Sequence, residues 1–391
     1  MRLTHPDGQE ILLSYCTNVH AAQDVAGIVA QLDRFALPIR ERLGWAELGL
    51  GLWLPASAAA GLADAPAALA GFAKELAVRG LAVVTVNGFP YGDFHAARVK
   101  KLVYRPDWAD RRRLDYTLAL ARILAALLPD GVAEGGISTL PLGWRADWSA
   151  ADRGTAAGHL ARLDQELAAL RDRTGRTVRV GLEPEPGCVL ERSADLAAAL
   201  PPRSGSGLVG LCLDTCHLAV GFETADRFVA AAAGLGAPIV KVQAASAVQV
   251  SRPARNSVRQ ALRDLAEPRY LHQVRCQGPD GLSGVDDLPE AAAALPADRP
   301  WRVHFHVPVH RRHLGVLETT QDVLVDSLAT LFGGPHPVTR RLEVETYTWD
   351  VLPAAEAAGP REAGVVAGIS SELAWTAGQL TALGLEGKTL T

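Results

Sequence analysis

Carboxylate and imidazole side chains stand near the ends of four short apolar runs in the second half of this 391-residue chain. They are Glu183 and Glu185, Asp214 and His217, His304 and His306, and Glu343 and Glu345. Carboxylate oxygens and imidazole nitrogens are common protein ligands of divalent cations such as Mg, Mn, Co and Zn. Successive strands of a parallel barrel bring their carboxyl ends to one mouth, where such side chains gather. The pattern therefore predicts a metal centre at the mouth of a barrel.

Two of the expected ligands are glutamates at strand ends. Glu183 is followed by proline and another glutamate, which favours a position at the barrel mouth. The same sequence would also fit a glutamate in an exposed turn. Glu343 and Glu345 share one face of their run because side chains alternate along a strand. Glu345 is the preferred ligand, since it lies nearer the carboxyl end.

Asp214 and His217 form an Asp-x-x-His element. That spacing puts a carboxylate and an imidazole at one centre, with His217 as a ligand or a catalytic neighbour, or lets Asp214 simply cap the next helix. His304 and His306 share one strand face, which is a metal-binding spacing but also fits a surface histidine cluster. We expect His306 to be a ligand and His304 to contact substrate.

Other polar residues near strand ends are expected to bind substrate. Lys241 and Gln243 share a face of the next run, and Gln243 either ligates the metal weakly or bonds a substrate hydroxyl. In the first half, Asn87, Tyr91 and His95 follow the third run, where loop side chains can bind polar groups. His95 could equally cap a helix or bridge loops.

Short apolar runs alternate with helical patterns along nearly the whole chain. The expected strands are 11–16, 48–54, 81–88, 136–141, 177–183, 209–214, 239–243, 303–307 and 342–346. Such alternation predicts a parallel sheet, and eight units close a TIM (β/α)8 barrel. The ninth strand, 303–307, follows a long irregular stretch. We therefore expect one barrel domain over 1–391, with an insertion after strand 7 at 247–310 that folds over the mouth like a lid.

The composition limits the class of protein. Hydrophobic residues make up 48% and charged residues 21%, so a large core is expected. The net charge of −4 argues against a nucleic-acid-binding protein. No apolar run is long enough for a transmembrane helix, and the N-terminus lacks a signal-peptide core. Five cysteines without a Cys-x-x-Cys pair fit a reducing, cytoplasmic setting.

The strand-end pattern resembles the xylose isomerase-like TIM barrel superfamily, which includes sugar isomerases, epimerases and metal-dependent AP endonucleases. Within it, the chain resembles the EboE family of metabolite traffic proteins. The matching segments are 15–20, 87–92, 137–141, 182–186, 214–217, 304–308 and 344–349. They are spread over nearly the whole chain.

This resemblance implies a divalent metal ion held by Glu183, Asp214 and Glu345. Gln243 stands where relatives carry a histidine, and the pair His304 and His306 stands where endonuclease relatives carry Asp-x-His. The EboE family also implies partners encoded in one operon, a prenyltransferase-like membrane protein and a sugar phosphate cyclase-like protein. The implied role is to make or export a small metabolite.

Together these features predict a metal-dependent isomerase or epimerase of a small polyhydroxylated carbonyl compound, sugar-like or cyclitol-like. The metal would chelate adjacent substrate oxygens, and Glu183 and Glu345 would move the proton. A metal-dependent phosphodiesterase or nuclease is a rival, weakened by the absence of a basic groove. A non-catalytic carrier on the same barrel is the other rival, favoured by Gln243.

Overall fold

Eight parallel strands close into a barrel in this computed structural model, which describes residues 1–200, 206–353 and 361–387. The barrel strands are Glu10–Cys16, Leu48–Trp53, Leu81–Asn87, Glu134–Thr139, Thr177–Leu182, Val209–Asp214, Ile239–Ala244 and Arg341–Val344. Neighbours pair in chain order, and the eighth strand pairs with both the seventh and the first. This closed ring confirms the predicted TIM barrel.

All nine predicted strands are present, and their ends differ from the expected ones by no more than two residues. The barrel strands are almost entirely buried on both faces. Their sequences are therefore near-continuous apolar runs, as in other parallel sheets covered by helices. Two short strands, Arg2–Thr4 and Glu386–Gly387, extend the sheet in antiparallel fashion beside the first barrel strand.

Helices cover the outside of the barrel. The α-helices are Val25–Gln31, Leu37–Leu43, Ala56–Ala63, Pro66–Val78, Arg111–Leu127, Ala150–Thr174, Leu196–Ala199, Thr215–Val220, Ala225–Leu235, Asn256–Leu265, Leu288–Ala294, Gln321–Phe332 and Arg361–Ala382. The longest, Ala150–Thr174, begins at a capping box of Ser149 and Asp152 and ends at Gly175 in the left-handed conformation. Leu160, Leu163, Leu167 and Leu170 form its buried face, as their spacing predicts.

A second, antiparallel sheet lies between the seventh and eighth barrel strands. In spatial order its strands are Gly281–Val285, Val274–Gly278, Trp301–Val307, Ser246–Val250, Leu317–Thr319 and His313–Leu314. The predicted insertion after strand 7 is thus present, and the strand with the two histidines belongs to it. The sheet runs from 246 to 319, beyond the expected boundary of 247–310, because a hairpin of short strands follows the histidine strand.

The barrel interior contains a buried ion pair. Lys241 Nζ donates to Glu343 Oε1 at 2.8 Å, and both side chains are fully buried. A Cβ atom on Gly51 would lie 1.8 Å from the Glu343 carboxylate. Position 51 must therefore be glycine for the Glu343 side chain to fit. The pair fills space that apolar side chains occupy in most barrels.

No single helix among the described residues has both the length and the apolarity needed to cross a membrane. One bent pair, Ala56–Ala63 with Pro66–Val78, meets these criteria only when the two helices are taken together across a 110° bend.

Candidate metal centre

Three carboxylates meet at the carboxyl ends of the fifth, sixth and eighth barrel strands. Glu183, Asp214 and Glu345 are buried, and one carboxylate oxygen from each lies within 4.8 Å of the others. We call these three residues the carboxylate cluster. Glu183 Oε2, Asp214 Oδ2 and Glu345 Oε2 have no hydrogen-bond partner among the residues that the structure describes. Buried polar atoms are rarely left without one, so these oxygens fit the ligands of a cation.

The second oxygen of each carboxylate is held by the protein. Asp214 caps the helix Thr215–Val220, and its Oδ1 accepts from the backbone N–H of Cys216 at 2.7 Å and of His217 at 2.9 Å. Capping the helix and binding a metal, which the sequence left as alternative roles for Asp214, are therefore compatible. Asp214 Oδ1 caps the helix, and Oδ2 is available to bind a cation.

Glu345 is held by two asparagines. Its Oε1 accepts from Asn18 Nδ2 at 2.6 Å and from Asn87 Nδ2 at 3.0 Å. Asn87 Oδ1 in turn accepts from the Phe89 backbone N–H at 3.0 Å, which fixes the amide orientation. Asn87 lines the pocket, but its amide is occupied by Glu345.

Burial and mutual repulsion make the ionised cluster unfavourable without a counter-ion. Burial raises the pKa of Glu183 well above its usual value, and the charge of Asp214 raises it further. Burial likewise raises the pKa of Glu345, with Glu183 as the next cause. A bound divalent cation would favour the ionised forms, so the donor set fits the implied metal.

Three histidines form a second group beside the carboxylates. His217, His304 and His306 have ring centroids 4.6, 5.7 and 5.3 Å apart. We call them the histidine cluster. His217 Nδ1 donates to the Pro184 carbonyl at 3.0 Å, because a carbonyl oxygen can only accept. Burial lowers the pKa of His217 to about 4, so its ring is neutral at pH 7 and its Nε2 carries a lone pair.

The same reasoning applies to His304. Its Nδ1 lies 2.6 Å from Gln273 Oε1. The Gln273 amide is oriented by its Nε2, which donates to the Pro186 carbonyl at 2.9 Å and to Tyr104 Oη at 2.8 Å. His304 Nδ1 is therefore the protonated nitrogen, and its Nε2 also carries a lone pair. Burial lowers the pKa of His304 well below its usual value.

The remaining nitrogens are arranged for a cation. His217 Nε2 and His304 Nε2 face each other at 3.1 Å. His306 Nδ1 lies 2.9 Å from the Glu345 carbonyl, and its Nε2 has no hydrogen-bond partner in the described part of the chain. Asp214 with His217 and His306, and Glu185 with His217 and His304, each place three ligand atoms within 4.8 Å. The histidine cluster thus offers two candidate ligand sets for a second cation, and of these the set with His306 shares Asp214 with the carboxylate cluster.

The pocket above both clusters has a polar floor and aromatic walls. Five aromatic side chains line it, namely Phe89, Phe94, Tyr104, Tyr270 and Tyr347. Glu185 also lines it and accepts from Tyr104 Oη at 2.6 Å. Burial raises the pKa of Glu185 to about 8. Tyr270, Leu271, His304 and His306 come from the insertion segment, which therefore supplies part of the pocket wall.

Gln243 lies beneath the carboxylate cluster with both ends of its amide engaged. Its Nε2 donates to Glu183 Oε1 at 3.3 Å, and its Oε1 accepts from the Cys212 thiol at 2.9 Å. This placement argues against the expected metal ligation. It gives Gln243 the role of orienting Glu183.

Lys241, Tyr91 and His95 do not line this pocket, contrary to the substrate-binding role expected for them. Lys241 is fully buried against Glu343. The ring of Tyr91 packs edge-on to another aromatic ring, that of Tyr116. His95 Nε2 donates to the Asn18 carbonyl at 2.7 Å, so it acts as a loop bridge, the alternative that the sequence left open.

The sequence pattern gives only weak signals, or none, for several residues of the site. Asn18 lies in a segment with weak polar signals after the first strand, and its contact with Glu345 spans 327 residues. Gln273 and Tyr270 lie in the irregular part of the insertion, where no periodic signal marks them. The role of Tyr104 depends on the fold alone, because its partner Glu185 follows a different strand.

No known protein family matches the sequence. A search of curated proteins likewise finds no match.

Solved structures with similar backbones include sugar epimerases and a xylose isomerase-like TIM barrel protein. A structure of L-ribulose 3-epimerase has 14% identity and a TM-score of 0.52, covering 95% of this chain and 95% of that chain. A D-psicose 3-epimerase in the presence of D-fructose has 12% identity and a TM-score of 0.49, with coverage of 94% and 99%. A xylose isomerase-like TIM barrel protein from Mycobacterium smegmatis with magnesium has 13% identity and a TM-score of 0.48, with coverage of 97% and 94%. At these identities the likeness concerns the fold, and the chain shares the TIM barrel fold of L-ribulose 3-epimerase over nearly its whole length.

Proposed function

We propose that this protein is a metal-dependent isomerase or epimerase of a small polyhydroxylated carbonyl compound. The observation that carries the proposal is the carboxylate cluster, in which three buried carboxylate oxygens without partners among the described residues converge at the floor of the pocket. The likeness in fold to L-ribulose 3-epimerase supports the same class of reaction. We place the protein in the cytoplasm, where five buried free cysteines would stay reduced.

A divalent cation bound by Glu183, Asp214 and Glu345 would supply a Lewis acid that acidifies the C–H bond beside a substrate carbonyl. Glu183 and Glu345 approach the pocket floor from the fifth and eighth strands. One carboxylate removes the proton, and the other returns it. Return to the same carbon on the other face gives epimerisation, and return to the neighbouring carbon gives isomerisation. Asn18 and Asn87 hold Glu345 in place, and Gln243 holds Glu183.

The substrate belongs, in this proposal, to a pathway that makes or exports a sugar-like or cyclitol-like metabolite. The motif resemblance to EboE proteins supports this role and the operon-encoded partners that it implies. The aromatic walls suit a sugar or cyclitol, because the C–H face of such a ring packs on aromatic side chains while its hydroxyls face the polar floor.

Carbon-bound deuterium tests the proposal. The protein is loaded in turn with Mn, Co, Zn or Mg and incubated in deuterated water with a panel of ketoses and inososes. We expect deuterium incorporation that Glu183→Gln and Glu345→Gln abolish. The control Glu290→Gln, at an exposed position of the insertion helix Leu288–Ala294, should leave it unchanged. Tight binding without exchange, unaffected by either site variant, would instead identify a carrier.

The histidine cluster favours a second candidate, a phosphodiesterase that uses two cations. Paired metal ions stabilise both oxygens of a phosphoryl displacement, and Asp214 belongs both to the carboxylate cluster and to a ligand set with His217 and His306. Hydrolysis of bis(p-nitrophenyl) phosphate, measured on the same metal-loaded samples, distinguishes this candidate. Hydrolysis that His304→Ala abolishes, together with no deuterium exchange, would replace the isomerase proposal.

A further inference from the structure

A further buried glutamate lies outside the carboxylate cluster, on the C-terminal helix. Glu372 is in the C-terminal helix Arg361–Ala382 and is fully buried. Its two carboxylate oxygens accept three hydrogen bonds from other segments. Burial raises the pKa of this carboxyl to about 7, so keeping it ionised has an energetic cost.

The three donors come from two segments that carry proposed metal ligands. Thr346 Oγ1 donates to Glu372 Oε1 at 2.6 Å, and Trp349 Nε1 donates to Oε2 at 2.9 Å. Both follow Glu345 at the end of the eighth barrel strand. The third donor is the backbone N–H of Val309, at 3.1 Å from Oε1, just beyond the strand that carries His306.

The same two segments also contact each other directly. His306 Nδ1 donates to the Glu345 carbonyl at 2.9 Å, and Thr348 Oγ1 donates to the His306 carbonyl. The segment after the eighth strand and the end of the histidine strand therefore form one hydrogen-bonded unit, and Glu372 contacts both parts of it.

The helix is shaped for this contact. A Cβ atom on Gly368 would lie 2.2 Å from the Trp349 ring, so a larger residue here would displace the ring. Gly368 is four residues before Glu372 and therefore lies on the same helix face. Glycine in a helix costs about 1 kcal/mol relative to alanine, and here it allows Trp349 to reach Glu372.

We infer that Glu372 is a positioning residue that joins the segment carrying Glu345 to the segment carrying His306, and so sets the spacing between the carboxylate and histidine clusters. The inference rests on the proposed metal centre. It adds a residue that contacts neither metal nor substrate but fixes ligands from two separate sheets.

The test compares Glu372→Gln with Leu373→Ala. The glutamine keeps the shape, but its NH₂ group replaces one accepting oxygen, so either Trp349 or the pair Thr346 and Val309 loses its acceptor. Leu373 is the next residue of the same helix and is fully buried, so its truncation destabilises helix packing without touching the three hydrogen bonds. We expect Zn²⁺ affinity, measured by calorimetry, to fall at least tenfold in Glu372→Gln and less than threefold in Leu373→Ala. The visible spectrum of bound Co²⁺, which reports ligand geometry, should change only in Glu372→Gln.

Hydrogen exchange of the metal-free protein provides a readout that needs no cation. Glu372→Gln should speed amide exchange at 304–309 and 345–350, while Leu373→Ala should not do so selectively. Thr346→Val removes one donor and should give a smaller change in the same segments, which keeps the test usable if Glu372→Gln folds poorly. Unchanged exchange in these segments in both Glu372→Gln and Thr346→Val would overturn the inference. A wild-type protein that binds no cation would instead refute the proposed function, and exchange would still decide the role of Glu372.

Discussion

His217 Nε2 and His304 Nε2 face each other at 3.1 Å, and burial lowers the pKa of both rings, which favours their neutral forms. Each ring donates its Nδ1–H elsewhere, His217 to Pro184 and His304 to Gln273. Two lone pairs repel at this separation, so direct contact is unfavourable. A cation between them removes the repulsion, and imidazole nitrogens are good ligands of Zn and Co.

Removing one of these rings should remove a bound cation. We expect His304→Ala and His217→Ala each to lower the Zn²⁺ stoichiometry by one equivalent per chain while the carboxylate cluster still binds. Elemental analysis after dialysis measures this. The exposed His313, changed to alanine, is the control. Equal stoichiometry in the wild type and both site variants would contradict a cation position at the histidine cluster.

Asp214→Asn should weaken metal binding with little loss of stability. Asparagine retains an oxygen that accepts the capping hydrogen bonds, so the free energy of unfolding should change by about 1 kcal/mol or less. The lost charge should lower metal affinity at the carboxylate cluster at least a hundredfold, because Asp214 supplies one of its three ligand oxygens. Calorimetry and urea unfolding measure the two effects. If the variant unfolds readily yet still binds metal, Asp214 is structural.

Lys241→Met should strongly destabilise the protein. It leaves the Glu343 carboxylate buried without its partner, which typically costs about 3–5 kcal/mol. The double variant Lys241→Met with Glu343→Gln removes both charges and should regain most of that loss. Urea unfolding of the wild type, Lys241→Met and the double variant measures the free energies of unfolding. A single variant as stable as the wild type would show that the pair contributes nothing.

The pH dependence of stability should show the raised pKa of the buried Glu372 carboxyl. Its folded pKa, about 7, exceeds the usual value of 4.5, so the folded state holds a proton that the unfolded state releases between these values. The stability linked to this proton is complete below about pH 4.5 and is lost as the pH rises through about 7. The loss is roughly 3 kcal/mol, at about 1.4 kcal/mol per unit. Without metal, the free energy of unfolding of Glu372→Gln should fall less than that of the wild type between about pH 4.5 and 7. Parallel plots of this free energy against pH for the two proteins would contradict the prediction.

The sequence alone determined the barrel and the identity of the main candidate ligands. Buried parallel strands must be apolar on both faces, so they appear as short continuous runs, and polar residues that end such runs face the mouth. Glu183, Asp214 and Glu345 were predicted on that basis and now lie together at one end of the barrel. The insertion was detected because one apolar run exceeded the eight that a barrel needs.

Only the tertiary structure decided which polar side chains are free to bind and which are already engaged. Lys241 and Gln243 stand on the same strand as expected, yet Lys241 pairs with Glu343 and Gln243 bonds both Glu183 and Cys212. Asn18 and Glu372 reach the site through contacts between residues far apart in the chain or on another element. The periodicity of a strand predicts which face of the sheet a residue occupies. Which atom on that face lacks a partner depends on neighbours brought together by closing the ring, and one sequence carries no local signal for that.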